Sequence, residues 1–218
     1  MPDSLNHARK DVLASIRASL GRSASPTEVE CDYEAIDRRY KRTGMLSPDE
    51  LLDLFARRLR EYDAGVFHAS IDKISLEIAK ILNSRRYKRM VVPNGLESRW
   101  LPEGFDFLSG TSFDNYELDR VDGVITGCSV AIAETGSAVL QFAPGQGPRI
   151  LSLIPDYHLC VVLAEQIVET VPEAFAKLEA TRSLPTTFFS GPSATADIEM
   201  TRIKGVHGPR FLDVLLVI

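Results

Sequence analysis

A chain of 218 residues, 44% hydrophobic and 25% charged, has enough apolar side chains for one globular core that needs no disulfide or metal staple. Its formal charge of −5 argues against a nucleic-acid partner, which selects a basic face. The three cysteines, Cys31, Cys128 and Cys160, are too widely spaced in sequence for the clustered thiolates of an iron–sulfur or structural zinc site.

Apolar residues Leu5, Val12, Leu13, Ile16 and Leu20 recur at helical spacing, with Gly21 as a stop signal. Residues 22–26 are Ser-rich and polar. Residues 1–44 therefore read as an N-terminal helical arm and linker, docked either on its own domain or on another copy, and residues 45–218 as the main domain. Ser47-Pro48-Asp49-Glu50 has the N-cap, first-turn proline and capping-box glutamate of a helix start, which predicts a helix to about Tyr62. A short strand follows at residues 66–68. Ser70 opens a second helix with Ile71, Ile74, Ile78, Ile81 and Leu82 on one face, and residues 90–92 form a buried strand. Short helices are expected at 95–101 and 114–118, with a strand at 105–107 between them. This alternation is that of an α/β fold.

After Gly123 the texture changes. Two apolar strands, 130–133 and 138–142, flank a tight turn at Glu134-Thr135-Gly136-Ser137, where glycine supplies positive φ. A Gly/Pro loop at 143–149 leads to a buried strand at 158–163. A helix begins at Thr170, and the last strands are 186–189 and 210–218.

Four segments carry more chemistry than packing requires. The turn Glu134, Thr135 and Gly136 places a carboxylate that can serve as nucleophile, base or acceptor, or simply sit in solvent. The loop ending at Arg149 offers backbone N–H groups and a cation to an anion, or is a plain surface loop. Ser190, Gly191, Ser193, Thr195, Asp197 and Glu199 gather hydroxyls and carboxylates, with Ser193 or Thr195 as cap of a helix starting near Ala196. Finally Gly205, His207 and Gly208 hold a histidine between glycines, and His158 either caps a strand end or lines the same site. The two histidines are too far apart for a local zinc motif, so no metal is expected. Ser193, His207 and Asp197 make a nucleophilic triad only on paper, because no Gly-x-Ser-x-Gly elbow is present.

Taken in order, Thr126-Gly127, Ile132-Ala133-Glu134-Thr135-Gly136, Pro148-Arg149 with Ser152-Leu153-Ile154-Pro155 and His158, Ser190-Gly191-Pro192-Ser193 with Thr195-Ala196-Asp197-Ile198-Glu199, and Gly205-Val206-His207-Gly208-Pro209 resemble the LutC/YkgG family of bacterial lactate-utilisation proteins, which carry the LUD domain. The resemblance is dense from about Gly123 to Ile218 and thin before it. It implies a three-layer α/β fold of the NagB/RpiA/CoA-transferase-like type. It also implies a part in oxidising L-lactate to pyruvate beside iron–sulfur partner proteins, in a quinone- or cytochrome-linked complex. Without a Cys-rich segment the chain looks like the cluster-free subunit, non-catalytic alone and without a cofactor of its own.

No flavin or nicotinamide fingerprint appears. Residues 1–10 lack the apolar core of a signal peptide, and apolar runs such as 214–218 are strand-sized, so a cytoplasmic protein with no membrane span is expected. Two further readings are a stand-alone CoA-transferase-like enzyme with Glu134 as acyl acceptor and a regulator that binds a small anion. Glu134 and His207 are the catalytic candidates, and the remaining residues of the four segments are ligand-binding candidates. The sequence leaves room for a homo-oligomer.

Overall fold

The computed structural model describes residues 2–20, 33–37, 39–110, 113–195, 203–205 and 207–218. The chain divides into two compact units, Met1–Tyr40 and Lys41–Ile218. In the first, helix α1 (Pro2–Ser19) carries the expected apolar spacing, and Val12, Leu13 and Ile16 are exposed on it. The Arg39 guanidinium donates to both carboxylate oxygens of Asp37.

The second unit opens with helix α2 (Pro48–Glu61). Its capping box is formed in full: the Ser47 N–H and hydroxyl donate to Glu50 Oε2 at 2.9 and 2.7 Å, and the Glu50 N–H returns to Ser47 Oγ. That reciprocal pairing satisfies two of the helix's orphan groups. Phe55, Ala56 and Leu59 form its buried stripe.

Strand β1 (Gly65–Ala69) leads to a 3-10 turn, Ile71–Lys73, and then helix α3 (Ile74–Arg85). The expected apolar face holds for Ile74, Ile78, Ile81 and Leu82. Ile71 is exposed instead, because the tighter winding of the 3-10 turn takes it off the α-helical stripe. Strand β2 (Arg89–Pro93) precedes strand β3 (Asp106–Gly110). Between them residues 95–101 make only a three-residue 3-10 turn, Ser98–Trp100. Leu101 stands before Pro102 and takes an extended conformation, as a residue before proline must, and this stops the helix.

A short helix α4 (Asn115–Leu118) follows, then strands β4 (Gly123–Thr126), β5 (Val130–Ile132), β6 (Ser137–Gln141), β7 (Tyr157–Leu163) and β8 (Ile167–Val168). Helix α5 (Val171–Leu178), strand β9 (Thr186–Phe189), the small ladder of β10 (Ala194–Thr195) with β11 (Ile203–Lys204), and strand β12 (Phe211–Val217) complete the chain.

Six strands form a sheet in the order β1-β12-β7-β4-β2-β3, and each neighbouring pair is parallel. The central strands β7 and β12 are buried on both faces, as parallel strands in an α/β core are, which explains their unbroken apolar runs. On one face Ile74, Ile78, Ile81 and Leu82 of α3 pack on Leu159, Val161, Leu215 and Val217. On the other, α2 and the strands β5 and β6 pack on Cys160, Val162, Val214 and Leu216. β5 and β6 belong to a second sheet, β8-β5-β6-β9, whose far side is covered by Ala174 and Leu178 of α5. The expected α/β fold is what is found, with the second sheet inserted as an added layer.

Candidate functional site

A cavity of about 250 Å³ opens beside the amino ends of β7 and β12. Three loops converge on it. The 3-10 turn Arg149–Ser152 brings Arg149 and Ser152, the segment after β9 brings Ser190, Gly191 and Ser193, and the turn before β12 brings His207 and Gly208. His158, the second residue of β7, lies under them with Phe189. Backbone conformation makes this convergence possible: Gly191 has φ 83, and a Cβ there would stand 2.5 Å from Tyr62 Cβ.

Ser193 ties two of these loops together. Its N–H donates to the Pro209 carbonyl at 2.9 Å, its carbonyl accepts from Gly205 N–H at 2.9 Å, and its hydroxyl accepts from His207 N–H at 3.2 Å. The helix that Ser193 or Thr195 is expected to cap falls outside the described residues. Ala194 and Thr195 are strand, paired with Lys204 and Ile203, and the Ser193 hydroxyl serves a neighbouring loop. Asp197 and Glu199, with the helix start expected near Ala196, lie outside the described residues. The contact between Ser193 and His207 runs through backbone N–H, a different geometry from the hydroxyl-to-ring pairing of a triad.

Arg149 supplies a cation at the cavity rim. Its Nη1 donates to the carbonyl and hydroxyl of Ser152 at 2.7 and 3.0 Å, and Nη2 to the His207 carbonyl at 3.4 Å. Arg149 is itself exposed, so its guanidinium keeps donor capacity beyond these three bonds. His158 is 2% exposed. Its Nε2 shares a 2.8 Å hydrogen bond with the Thr126 hydroxyl, and its ring packs 5.1 Å from Phe189. Burial, with a smaller push from the Arg149 charge, lowers its pKa to about 3. The cavity thus combines one cation, two imidazoles, of which His158 is buried and neutral, and several hydroxyls. A cation beside hydroxyls is a donor set chemically suited to pairing with a small carboxylate and to hydrogen-bonding a hydroxyl or carbonyl.

The turn Glu134, Thr135 and Gly136 sits elsewhere. The Glu134 carboxylate is exposed and lies 3.9 Å from Lys41 Nζ. Gly136 has φ 61, as the turn requires, and is pressed so closely on α2 that a Cβ would be 2.7 Å from Arg58 Cβ. A chain of hydroxyls links this turn to the cavity: Thr135 Oγ1 is 2.7 Å from Ser137 Oγ, which is 2.5 Å from Ser190 Oγ. Of the residues singled out from sequence, Arg149, His158, Ser190, Gly191, Ser193, His207 and Gly208 therefore line one cavity, while Glu134, Thr135, Gly136 and Gly205 are not among its walls.

A family model described as the LUD domain matches residues 45–217. The chain belongs to the LUD-domain family. This LUD domain is 46% identical over 175 residues to "Lactate utilization protein C" of Deinococcus radiodurans, covering 79% of this chain and 82% of that protein. It is 26% identical over 223 residues to the protein of the same name from Halalkalibacterium halodurans, covering 92% and 94%. A crystal structure of a DUF162 family protein from Deinococcus radiodurans superposes with a TM-score of 0.70 at 40% identity, covering 79% of this chain and 99% of that one.

Sequence reasoning missed several walls of the cavity in this LUD domain. Thr187, Phe189 and Leu212 are ordinary strand residues by pattern, and only the packing of β9 beside β7 and β12 turns them inward. Thr126 was visible only as part of the Thr126-Gly127 motif. Its bond to His158 comes from the parallel pairing of β4 with β7.

Proposed function

We propose that this protein is a component of an L-lactate utilisation system and that its cavity at Arg149 binds lactate or pyruvate. The observation that carries the reading is the 46% identity to a lactate utilization protein C across most of both chains. The cavity agrees in chemistry: a carboxylate pairs with the Arg149 guanidinium, and the 2-hydroxyl or 2-oxo group meets Ser190 or Ser193. His158 stays neutral and offers a fixed hydrogen-bond partner without charge, so it does not compete with Arg149 for the carboxylate.

Conversion of lactate to pyruvate releases two electrons and two protons. In this proposal the electrons pass to iron–sulfur partner proteins in the cytoplasm, and this chain contributes substrate binding and docking. Among the described residues no helix is long and apolar enough to cross a membrane. The test is a thermal-shift and calorimetric titration of the purified full-length chain with L-lactate and pyruvate. A ligand at a hundredfold excess over its Kd stabilises the native state by about 2.7 kcal/mol. Arg149→Gln should abolish that shift, and the chain should co-purify with iron–sulfur proteins from lactate-grown cells. Absence of a shift with both acids, at concentrations that saturate a millimolar site, would overturn the binding role.

A further inference from the structure

The cavity at Arg149 does not end at Arg149. A second cavity of about 420 Å³ shares Arg149, Ser152 and Thr187 as walls. A third, of about 240 Å³, shares Phe142, Gly147 and Pro148 with the second. Read together as one trough through these shared walls, the three run from the amino ends of β7 and β12 to Asn94 and Gly110, beside the carboxyl ends of β2 and β3. Its character changes along the way. The first cavity has hydroxyls, histidines and a cation, while the second sets Leu140, Phe142, Pro148 and Pro185 beside the polar Gln141 and Thr186 and the three walls it shares with the first.

The loop at 143–148 is pinned from both sides: Gly145 N–H donates to the Asn94 carbonyl and Gly127 N–H to the Gly145 carbonyl, each at 2.8 Å. Gln146 Oε1 accepts from Gln141 N–H at 2.8 Å and from the Ser129 hydroxyl at 2.9 Å. Gly147 has φ 71, and a Cβ there would stand 2.8 Å from both Leu151 and Pro93, so this path of the loop requires glycine. Phe142, whose N–H donates to the Pro185 carbonyl, is 56% exposed and lines both the second and third cavities. Apolar walls next to a cation suit an amphipathic acid.

We propose that the site takes 2-hydroxy or 2-oxo acids whose apolar side chain is longer than the methyl of lactate, with the carboxylate at Arg149 and the chain laid along Phe142. The inference rests on the lactate-binding reading for the polar end and extends it to the substrate class. Lactate occupies the first cavity alone, and each added methylene enters the second. A buried methylene raises affinity about fourfold.

The experiment is calorimetric titration of the full-length protein with L-lactate and with the 2-hydroxy acids of four, six and eight carbons, on the native chain and on Phe142→Ala. The expected result is an affinity that climbs with chain length in the native protein and a much flatter series in the variant. Lactate binding with no gain along the series, or a gain undiminished by Phe142→Ala, overturns the trough and leaves the lactate site standing. Long acids binding while lactate is silent supports the trough and removes lactate as the ligand. Silence across all four acids overturns both.

Discussion

Arg85 and Asp213, 128 residues apart, meet in a two-point ion pair: Nε to Oδ2 and Nη2 to Oδ1, both 2.6 Å. Asp213 is fully buried at the start of β12, and the Tyr157 hydroxyl donates to its Oδ2 at 2.8 Å. The guanidinium also lies 4.9 Å from the centre of the Tyr157 ring. β1 presents Gly65 opposite Asp213, where any Cβ would overlap the carboxylate.

A buried carboxylate that loses its cation keeps the cost of its desolvation. Arg85→Met is therefore expected to lower stability by about 3–5 kcal/mol in urea unfolding. The double variant Arg85→Met with Asp213→Leu removes both charges and should recover most of that loss. Equal instability of single and double variants would contradict the pairing.

His158 sets an acid limit on stability. Its folded pKa of about 3 lies below the ordinary value of 6.5, so the unfolded chain binds a proton that the folded chain refuses. At pH 7 the ring is neutral in both states and nothing is lost. As pH falls from 6.5 towards 3, stability drops at one proton's worth, about 1.4 kcal/mol per pH unit. Between pH 7 and pH 5 the native chain should thus lose on the order of 2 kcal/mol more than His158→Gln does. A ring that titrates near pH 6.5 in the native protein by NMR would contradict this.

Glu169 fastens the start of the second unit. Its carboxylate accepts from the Met45 and Leu46 N–H groups at 2.6 and 2.8 Å and pairs with the Lys41 ammonium. Glu173 takes the Gly44 N–H at 2.9 Å. These bonds hold both carboxylates below their usual pKa; for Glu169 the Lys41 bond is the largest cause. Glu169→Ala leaves two N–H groups without their acceptor. The expected outcome is faster tryptic cleavage after Lys41 and Arg42, followed by mass spectrometry, with cleavage elsewhere unchanged.

Gly136→Ala probes the turn between β5 and β6. The substitution forces a side chain into positive φ and against the α2 backbone, 2.9 Å from the Arg58 carbonyl carbon. A loss of about 2 kcal/mol is expected, a fall in Tm of roughly 4–8 °C for a chain of this size.

Local rules sufficed wherever the cause was local. The Ser47 capping box, the Ile74, Ile78, Ile81 and Leu82 stripe, the Glu134–Ser137 turn and the buried run of β7 each follow from residues within a few positions of one another. Hydrogen-bond reach and helical or strand periodicity are short-range properties, so they are written in the order of residues. The motif series also marked most polar walls of the cavity, because glycines and hydroxyls at loop positions have local signatures. Tertiary structure alone decided which of those motifs meet. It separated Glu134 from the cavity and joined Arg149 to His207 and Ser193. It also paired Arg85 with Asp213 and turned the apolar residues Phe142, Phe189 and Leu212 into walls. The reason is that strand order is fixed by burial summed over the whole sheet, β1-β12-β7-β4-β2-β3, and no stretch of neighbouring residues encodes which distant strand will lie beside it.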